Sequence, residues 1–187
     1  GINRLSLGVQ SFSNEELKWM NRAHDAEQSL ASIDLILASD ISNFSADVIF
    51  GSPMMPDETL VNGLEKLVSR KIPHLSCYAL TVEKGTALHH AIKHQQSKPT
   101  DTEQQARQFL LIMDILEAAG YEQYEISNYA LPGKRSRHNS SYWKGMPYYG
   151  IGPSAHSFDG KLNRRWNVSN NQKYIRALEA NNIPCEE

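Results

Sequence analysis

The feature that most constrains the fold is the alternation of strand-length apolar runs with longer amphipathic segments. Apolar runs at residues 4–9, 46–51 and 74–80 are each followed by a segment whose hydrophobic residues recur three or four positions apart, as on a buried helix face. Helix-length connections between apolar strands are typical of βαβ units and a parallel sheet. The sequence therefore predicts an α/β protein.

Polar residues that can cap a first helical turn mark where the helices begin. These predicted starts are Ser13 with Glu16, Asp25 with Gln28, Asp57, and Thr100 with Glu103. The last of these helices is expected to run from about Thr102 to Ala119, with Gly120 at its C′ position. Its predicted core face is Ala106, Phe109, Leu110, Met113 and Leu116. Residues 121–126 are then predicted to form a fourth strand.

Composition narrows the class of protein. With 187 residues, 40% of them hydrophobic, the chain is long enough for a domain with a real core. A net charge of −2 gives no electrostatic case for nucleic acid. No apolar run approaches the ~18 residues needed to span a bilayer. We therefore expect a cytoplasmic protein that does not bind nucleic acid.

Cysteine and histidine usage predicts no metal site within this chain. Cys77 lies in an apolar strand pattern and is expected to be buried, whereas Cys185 near the chain end is expected to be exposed. Neither belongs to a CxxC or CxxxCxxC cluster. His90 and His94 have the i, i+4 spacing of a metal pair, but without an H-E-x-x-H frame a solvated helix face is the better interpretation.

Polar residues at the carboxyl ends of the predicted strands are the first candidates for a site, because ligands of parallel sheets bind there. They include Gln10, Asp47 and Thr81. Asp47 interrupts an apolar strand, and a buried carboxylate must be paired or hydrogen-bonded. It either serves a ligand or holds a neighbouring Arg or helix N-terminus.

The chain changes character after residue 131. From 132 to about 165 it is loop-rich, with Gly, Pro, Ser, His, Tyr and Trp interleaved, which is typical of a binding lid or an irregular extension. We therefore predict two parts. Residues 1–131 form the α/β part, and residues 132–187 form a loop-rich extension with a terminal helix.

Several sequence elements, taken together and in order, carry a family resemblance. They are N-R-L-S-L-G-V-Q-S-F at 3–12, N-R-A-H at 21–24, A-D-V-I-F-G at 46–51, H-L-S-C-Y-A-L-T at 74–81, G-Y-E-Q-Y-E-I-S-N-Y-A at 120–130, R-H-N-S-S-Y-W at 137–143 and G-I-G-P-S-A-H-S at 150–157. With these elements the chain resembles the oxygen-independent coproporphyrinogen III oxidase family of radical S-adenosylmethionine (SAM) proteins. The H-N-x-x-Y-W element is similar to that of the heme chaperone branch of this family.

The resemblance implies an incomplete (β/α) barrel. The family has a partial TIM barrel, and this chain would supply strands four to six of it plus an irregular aromatic-rich extension. The family's CxxxCxxC loop for the [4Fe–4S] cluster follows the first barrel strand and has no counterpart here. Because the chain also begins at Gly1 without Met, we expect a fragment whose cluster is present in the intact protein only.

The resemblance also implies a set of SAM-binding residues. Gln10, Arg22 and Asp47 match family positions that contact SAM, and Thr81 matches another by position only. A guanidinium such as that of Arg22 suits the SAM carboxylate. The alternatives are a surface ion pair in the first helix for Arg22 and a backbone-bonded amide for Gln10.

For the extension, the resemblance implies heme or porphyrin binding by His138, Asn139, Tyr142 and Trp143. Imidazole is an ordinary axial ligand of heme iron, and the aromatic rings could stack on a porphyrin. Alternatively, His138 and Asn139 hold a loop against the barrel and Trp143 closes its open end. His156 has the same two interpretations, heme binding or a structural role. The structural role is preferred, because His156 follows a tight turn.

The resulting expectation is a fragment of a radical SAM protein that binds SAM and heme and passes heme to heme-accepting proteins. One alternative is oxidative decarboxylation of coproporphyrinogen III, and another is that the fragment alone is inert. A homodimer through an exposed sheet edge is a further expectation, because an unpaired strand promotes association.

Overall fold

The computed structural model describes residues 1–186, with only the backbone of Glu186. The chain divides into two compact units, Gly1–Arg135 and a second unit from Ser136 onward. Within the described residues, no helix combines the length and apolar composition needed to cross a membrane.

The first unit is built on a five-stranded mixed sheet. Its strands are β1 (Leu5–Gln10), β2 (Phe44–Phe50), β3 (His74–Ala79), β4 (Glu122–Gln123) and β5 (Asn128–Ala130), in the order β1-β2-β3-β5-β4. Its helices are α1 (Asn14–Trp19), α2 (Ala26–Leu37), α3 (Asp57–Ser69), α4 (Ala87–Lys93) and α5 (Thr102–Ala118). β1, β2 and β3 are parallel, as the βαβ pattern predicts.

The predicted fourth strand at 121–126 is confirmed only over Glu122–Gln123, which form β4. The segment instead turns back on itself, so that β4 pairs antiparallel with β5, and β5 pairs antiparallel with β3. The Glu125 side chain holds the turn by accepting hydrogen bonds from Ser127 N at 3.1 Å and from Asn128 Nδ2. A side chain that binds local backbone in this way favours a turn over a continued strand.

The core lies on one face of this sheet. Alternate strand residues, which point to one side, pack there with the inner faces of the helices. The buried strand members are Val9, Phe44, Ala46, Val48, Phe50, Leu75, Cys77 and Tyr129, and the helical members are Ile33, Leu60, Leu64, Leu67, Ile112 and Leu116. Cys77 is 2% exposed, so its predicted burial is confirmed.

The predicted buried face of α5 is displaced by about one residue. Leu116 is fully buried and Phe109 and Met113 pack against the core, as predicted, whereas Ala106 and Leu110 are exposed. The other two fully buried residues are Gln108 and Ile112. The reason is Gln108, whose amide bonds Gly51 N at 2.8 Å, Met55 O at 2.9 Å and Asp57 Oδ1 at 3.0 Å. A fully bonded amide can occupy the core at little net cost, which hydrophobic spacing does not reveal.

One predicted capping box is confirmed and the other helix starts differ in detail. Asp25 and Gln28 form a complete box. Ser13 accepts from Glu16 N, but the Glu16 side chain bonds elsewhere. α3 has Pro56 at its N-cap and α5 has Asp101, one residue from each prediction.

The second unit is small and open. It contains α6 (Arg137–Trp143), β6 (His156–Phe158), β7 (Arg164–Asn167), α7 (Asn171–Glu179) and β8 (Cys185–Glu186), with an antiparallel sheet ordered β6-β7-β8. All the buried hydrophobic side chains of the described chain belong to the first unit. Cys185, expected to be exposed, is half-buried.

Candidate functional site

The sheet face opposite the core is polar. Ser6, Gly8, Ser45, Asp47, His74 and Ser76 alternate with the core residues and pair across β1, β2 and β3. Ser45 Oγ donates to Ser6 Oγ at 3.0 Å, and Ser6 Oγ donates to Asp47 Oδ2 at 2.8 Å. Asp47 is half-buried, and its partner is therefore a hydroxyl rather than the Arg or helix N-terminus considered from sequence.

Gln10 lies on the same face as Asp47. Gly8 pairs with Asp47 across the two strands, and a Cβ added at Gly8 would lie 2.5 Å from Gln10 Nε2. The Gln10 amide therefore occupies the space that a side chain at position 8 would fill. This arrangement brings an amide and a carboxylate together near the carboxyl end of β1.

The backbone at Gln10 is strained. Gln10 has φ of 66°, in the left-handed region that non-glycine residues rarely adopt, and the β1–β2 register shifts between Gly8 and Gln10. Such conformations persist where the surrounding structure holds them, and they cluster at functional sites. The strain at Gln10 therefore makes this strand end a site candidate.

Arg22 and Thr81 line a cavity of about 520 Å³ in the same unit. Arg22 lies in the turn after α1, not within the first helix as expected, and its backbone N–H bonds Leu17 O at 2.8 Å. Ile49, two residues beyond Asp47 on the same face of β2, also lines the cavity. Of the other lining residues, six are apolar, namely Trp19, Met20, Leu80, Ala87, Leu88 and Ala91, and five are polar, namely Asn21, Glu83, Thr86, Gln96 and Ser97.

The four predicted SAM residues thus fall into two pairs within the first unit. Gln10 and Asp47 share the polar sheet face, and Arg22 and Thr81 border the cavity. Ile49 lies between the two pairs, because it is on the same sheet face as Asp47 and also lines the cavity. Apolar walls with a few polar groups are typical of small-molecule sites.

A buried carboxylate that was not a sequence candidate for the site fixes the strand ends. Glu16 is fully buried and accepts hydrogen bonds from Ser11 Oγ at 2.6 Å and from Ser52 Oγ. Burial raises the pKa of Glu16, while the two hydroxyls oppose that rise. The cluster ties α1 to the loops after β1 and β2. No local pattern reveals it, since Glu16 and Ser52 are 36 residues apart.

His74 is a second buried polar group not identified as a site candidate from sequence. It is fully buried on the polar face, and its Nε2 lies 2.7 Å from Tyr124 Oη. Burial, aided by the nearby Arg4 charge, lowers the pKa of His74 to about 4. The available signal was the alternation of polar residues in both strands, Ser45 with Asp47 in β2 and His74 with Ser76 in β3.

In the second unit, the predicted heme residues lie on an open aromatic surface. The His138 and Tyr142 rings meet edge-on at 5.1 Å, and Tyr142 contacts Tyr148 at 5.0 Å. Tyr142 is 50% exposed and Trp143 is 63% exposed. Trp143 is therefore largely free to contact a ligand.

Asn139 and His156 take different positions in this unit. Asn139 lies in the first turn of α6, and its backbone N–H donates to Oγ of the N-cap residue Ser136 at 3.3 Å. His156 begins β6, is exposed, and its ring lies 5.9 Å from that of Trp166. Of the predicted heme residues, His138 and Tyr142 are thus in ring contact, whereas His156 packs on a different ring.

The described residues contain no group of three or more His, Cys, Asp or Glu arranged to hold a metal ion. Cys77 is enclosed by the core, and burial raises the pKa of its thiol to about 12. A thiolate is the form that binds metal. The cysteines of this chain therefore do not fit an iron–sulfur cluster.

No protein-family model matches the chain, but curated proteins named Heme chaperone HemW do. The chain is 34% identical over 184 residues to that of Mycobacterium tuberculosis H37Rv, covering 98% of this chain and 47% of that protein. It is 36% identical over 158 residues to that of Escherichia coli K12, covering 83% and 40%. A mouse protein, Radical S-adenosyl methionine domain-containing protein 1, mitochondrial, is 36% identical over 156 residues, covering 83% and 35%.

The fold also has a solved relative. It is similar to coproporphyrinogen III oxidase (HemN) from Escherichia coli, described as a radical SAM enzyme, with a TM-score of 0.78 and 20% identity, covering 99% of this chain and 45% of that one. The predicted resemblance to heme chaperones of this family is confirmed. The chain spans about half the length of the curated relatives it matches.

Proposed function

We propose that this chain is part of a radical SAM protein of the HemW type, in which the first unit contributes to SAM binding and the second to heme binding. The supporting observation is the sheet face that carries Gln10 and Asp47, which continues through the apolar Ile49 to the cavity with Arg22 and Thr81. The similarity to proteins named Heme chaperone HemW over 98% of the chain supports the heme part.

The first unit then represents the later strands of a partial (β/α) barrel. The polar face would be the inner wall, and the helices would cover the outside, as barrel architecture requires. β1 is an edge of this sheet. In the proposal, another part of the intact protein or a second copy pairs with that edge.

The donor set of the first unit fits SAM. SAM supplies a sulfonium cation, an amino-acid carboxylate and ribose hydroxyls. Arg22 binds the carboxylate, Asp47 and Gln10 bind the hydroxyls and the amino group, and Thr81 adds a hydroxyl at the cavity rim. The apolar wall around Trp19 and Leu88 excludes water from the adenosine part and so strengthens these polar contacts.

The [4Fe–4S] cluster is not held by this chain in the proposal. Cys77 is enclosed in the core, and Cys185 alone cannot supply a cluster's ligands. The cluster therefore belongs to the remainder of the intact protein.

In the second unit, His138 is the proposed heme-iron ligand, with Tyr142 and Trp143 beside the macrocycle. Asn139 orients the loop through the first turn of α6, and His156 supports the neighbouring sheet. The intact protein would pass heme to acceptor proteins. Coproporphyrinogen oxidation is the second candidate, supported only by the fold of the HemN relative.

Calorimetry of SAM binding to the full chain tests the first-unit proposal. Asp47→Asn, which keeps the shape but removes the charge, is expected to weaken SAM binding about tenfold or more, as for other hydrogen bonds to charged groups. The matched control Asp34→Asn removes a carboxylate that pairs with Arg70 at 3.0 Å on the surface, and it should leave the affinity unchanged. Equal affinities for Asp47→Asn and wild type would overturn the proposal.

Heme binding has an independent readout. Adding ferric heme to the chain should shift its Soret band, and His138→Ala should abolish the ligation part of that shift, whereas His89→Ala on α4 should not. An unchanged spectrum in His138→Ala would remove His138 from the site. Turnover of coproporphyrinogen by the intact, cluster-loaded protein would favour the oxidase instead.

A further inference from the structure

A second cavity lies entirely within the second unit. It has a volume of about 400 Å³ and is bordered by Tyr148, Tyr149, Phe158, Arg164 and Arg165, together with parts of the β6–β7 turn. This volume is in the range of small-molecule sites. None of the residues predicted from sequence for heme binding borders it.

The walls of this cavity are held by backbone hydrogen bonds. Tyr148 and Phe158 exchange two of them, at 3.0 and 2.9 Å. The turn after Phe158 is fixed by Asp159, whose Oδ1 accepts from Lys161 N at 2.7 Å and from Asn163 N at 3.1 Å. A site held in this way loses little conformational entropy when a ligand binds.

The charge of the cavity is unbalanced. The Arg164 guanidinium lies over the Phe158 ring at 5.7 Å, and among the described side chains no carboxylate lies within ion-pair distance of Arg164 or Arg165. The acid that borders the cavity, Asp159, is committed to the turn, and the hydrogen bond from Lys161 N holds its pKa below the usual value. Arg164 pairs with Phe158 and Arg165 with Ser157, so their side chains leave β7 on opposite faces of the sheet. Both residues border the cavity, and neither guanidinium group is neutralised by an acid among the described residues.

The second unit as a whole is positively charged, like the cavity it contains. From Ser136 onward there are seven Lys and Arg against four Asp and Glu, whereas the first unit has twelve against seventeen. An anionic ligand is therefore attracted to the second unit and repelled by the first.

A series of aromatic ring contacts connects this cavity to His138, the proposed ligand of the heme iron. The contacts run from His138 to Tyr142 at 5.1 Å, then to Tyr148 at 5.0 Å and to Phe158 at 6.1 Å. This ring series, His138–Tyr142–Tyr148–Phe158, ends beneath Arg164. A flat apolar ligand with carboxylates at one edge matches a surface of this composition, because rings stack on its face and guanidinium groups bind carboxylates in bidentate geometry.

We propose that Arg164 and Arg165 bind the propionate carboxylates of the tetrapyrrole, whose ring edge lies against Tyr148 and Phe158. This inference rests on the proposed heme function and adds the site that selects ligands with free carboxylates. The dimethyl ester of heme has the same ring without those charges, so it separates carboxylate recognition from ring stacking.

The test is a Soret titration of the full chain with ferric heme and with its dimethyl ester. Wild type should bind the free acid about five- to tenfold more tightly than the ester, the effect of two partly exposed ion pairs. Arg164→Gln/Arg165→Gln should bind both forms equally. The matched control Lys173→Gln/Arg176→Gln removes the same charge from α7, outside the cavity, and should still prefer the acid.

Each outcome is decisive. Equal binding of acid and ester by wild type, or a preference for the acid that survives in the double variant, would overturn the arginine assignment while leaving heme binding intact. If wild type binds neither form, the proposed heme function itself fails. Should the double variant not fold, as judged by circular dichroism, the single variants Arg164→Gln and Arg165→Gln replace it, and an undiminished preference for the acid in both would overturn the assignment.

Discussion

The two units of this chain differ in where their functional groups lie. The first unit contains every buried hydrophobic side chain in the described structure, and it also buries Glu16 and His74. The second unit exposes most of its aromatic and charged residues, including Trp143, Tyr149 and Arg164. Polar groups of the first unit are thus held in place before any ligand arrives, whereas those of the second are accessible to a large ligand.

The difference also affects what each unit tolerates. A buried polar cluster such as Ser11, Glu16 and Ser52 is stabilising only while every partner is present. An exposed surface residue changes stability little when it is replaced. Three pairs of matched variants test this contrast, and the expected effects become smaller from the first pair to the third.

The largest effect is expected for one leucine in each unit. Leu75 is fully buried in β3, and Leu162 is 94% exposed in the β6–β7 turn. Leu75→Ala should lower the free energy of unfolding by about 2–5 kcal/mol, because it leaves a cavity in the core. Leu162→Ala should change it by less than about 0.5 kcal/mol. Urea denaturation measures both, and similar losses would contradict the contrast between the units.

Acidification should reveal the buried histidine. The folded-state pKa of His74 is about 4, below the unfolded value near 6.5. The unfolded chain therefore binds more protons between these values, and stability falls as the pH is lowered through this range.

For the full interval the loss is about 3 kcal/mol, and it should be absent in His74→Gln. The control His156→Gln removes an exposed imidazole of the second unit and should retain the loss seen in wild type. The measurement is the change in urea stability between pH 6.5 and pH 4.5, over which about 2 kcal/mol of this loss is expected. An unchanged acid loss in His74→Gln would show that other groups cause it.

The smallest effect compares two glycines with positive φ. Gly51 has φ of 78° and Gly145 has φ of 63°, so alanine costs about 1–2 kcal/mol at either position. At Gly51 a Cβ would also overlap Gln105, whose Nε2 donates to Leu80 O at 2.9 Å. Around Gly145 there is open space.

Gly51→Ala should therefore be the less stable variant by about 1 kcal/mol, the value of a displaced hydrogen bond. Thermal unfolding of the two variants side by side measures the difference. Equal melting temperatures would mean that Gln105 moves aside without loss.

The parallel strands of the first unit were predictable because apolar runs and capped helices are local patterns. The hairpin at residues 121–130 was not, since it depends on Glu125 binding its own turn. The buried face of α5 was misjudged for a related reason. Gln108 is polar by type but fully bonded to groups more than fifty residues away, and sequence spacing carries no information about such partners.

For the candidate site, Gln10 at the end of β1 and Asp47 in the middle of β2 could be identified as polar residues that interrupt or end apolar runs. The Glu16 cluster and the Arg164–Arg165 cavity could not. Both depend on segments brought together by folding, and neither has a spacing that marks it.

The absence of a side chain at Gly8 affects how variants at this position should be interpreted. Any substitution there would push the amide of residue 10 out of its resting place without touching the strand's own hydrogen bonds. A binding defect in such a variant would then report on its neighbour, two positions along the chain. Gly8 and Gln10 should therefore be varied together, because a change at one alters the space available to the other.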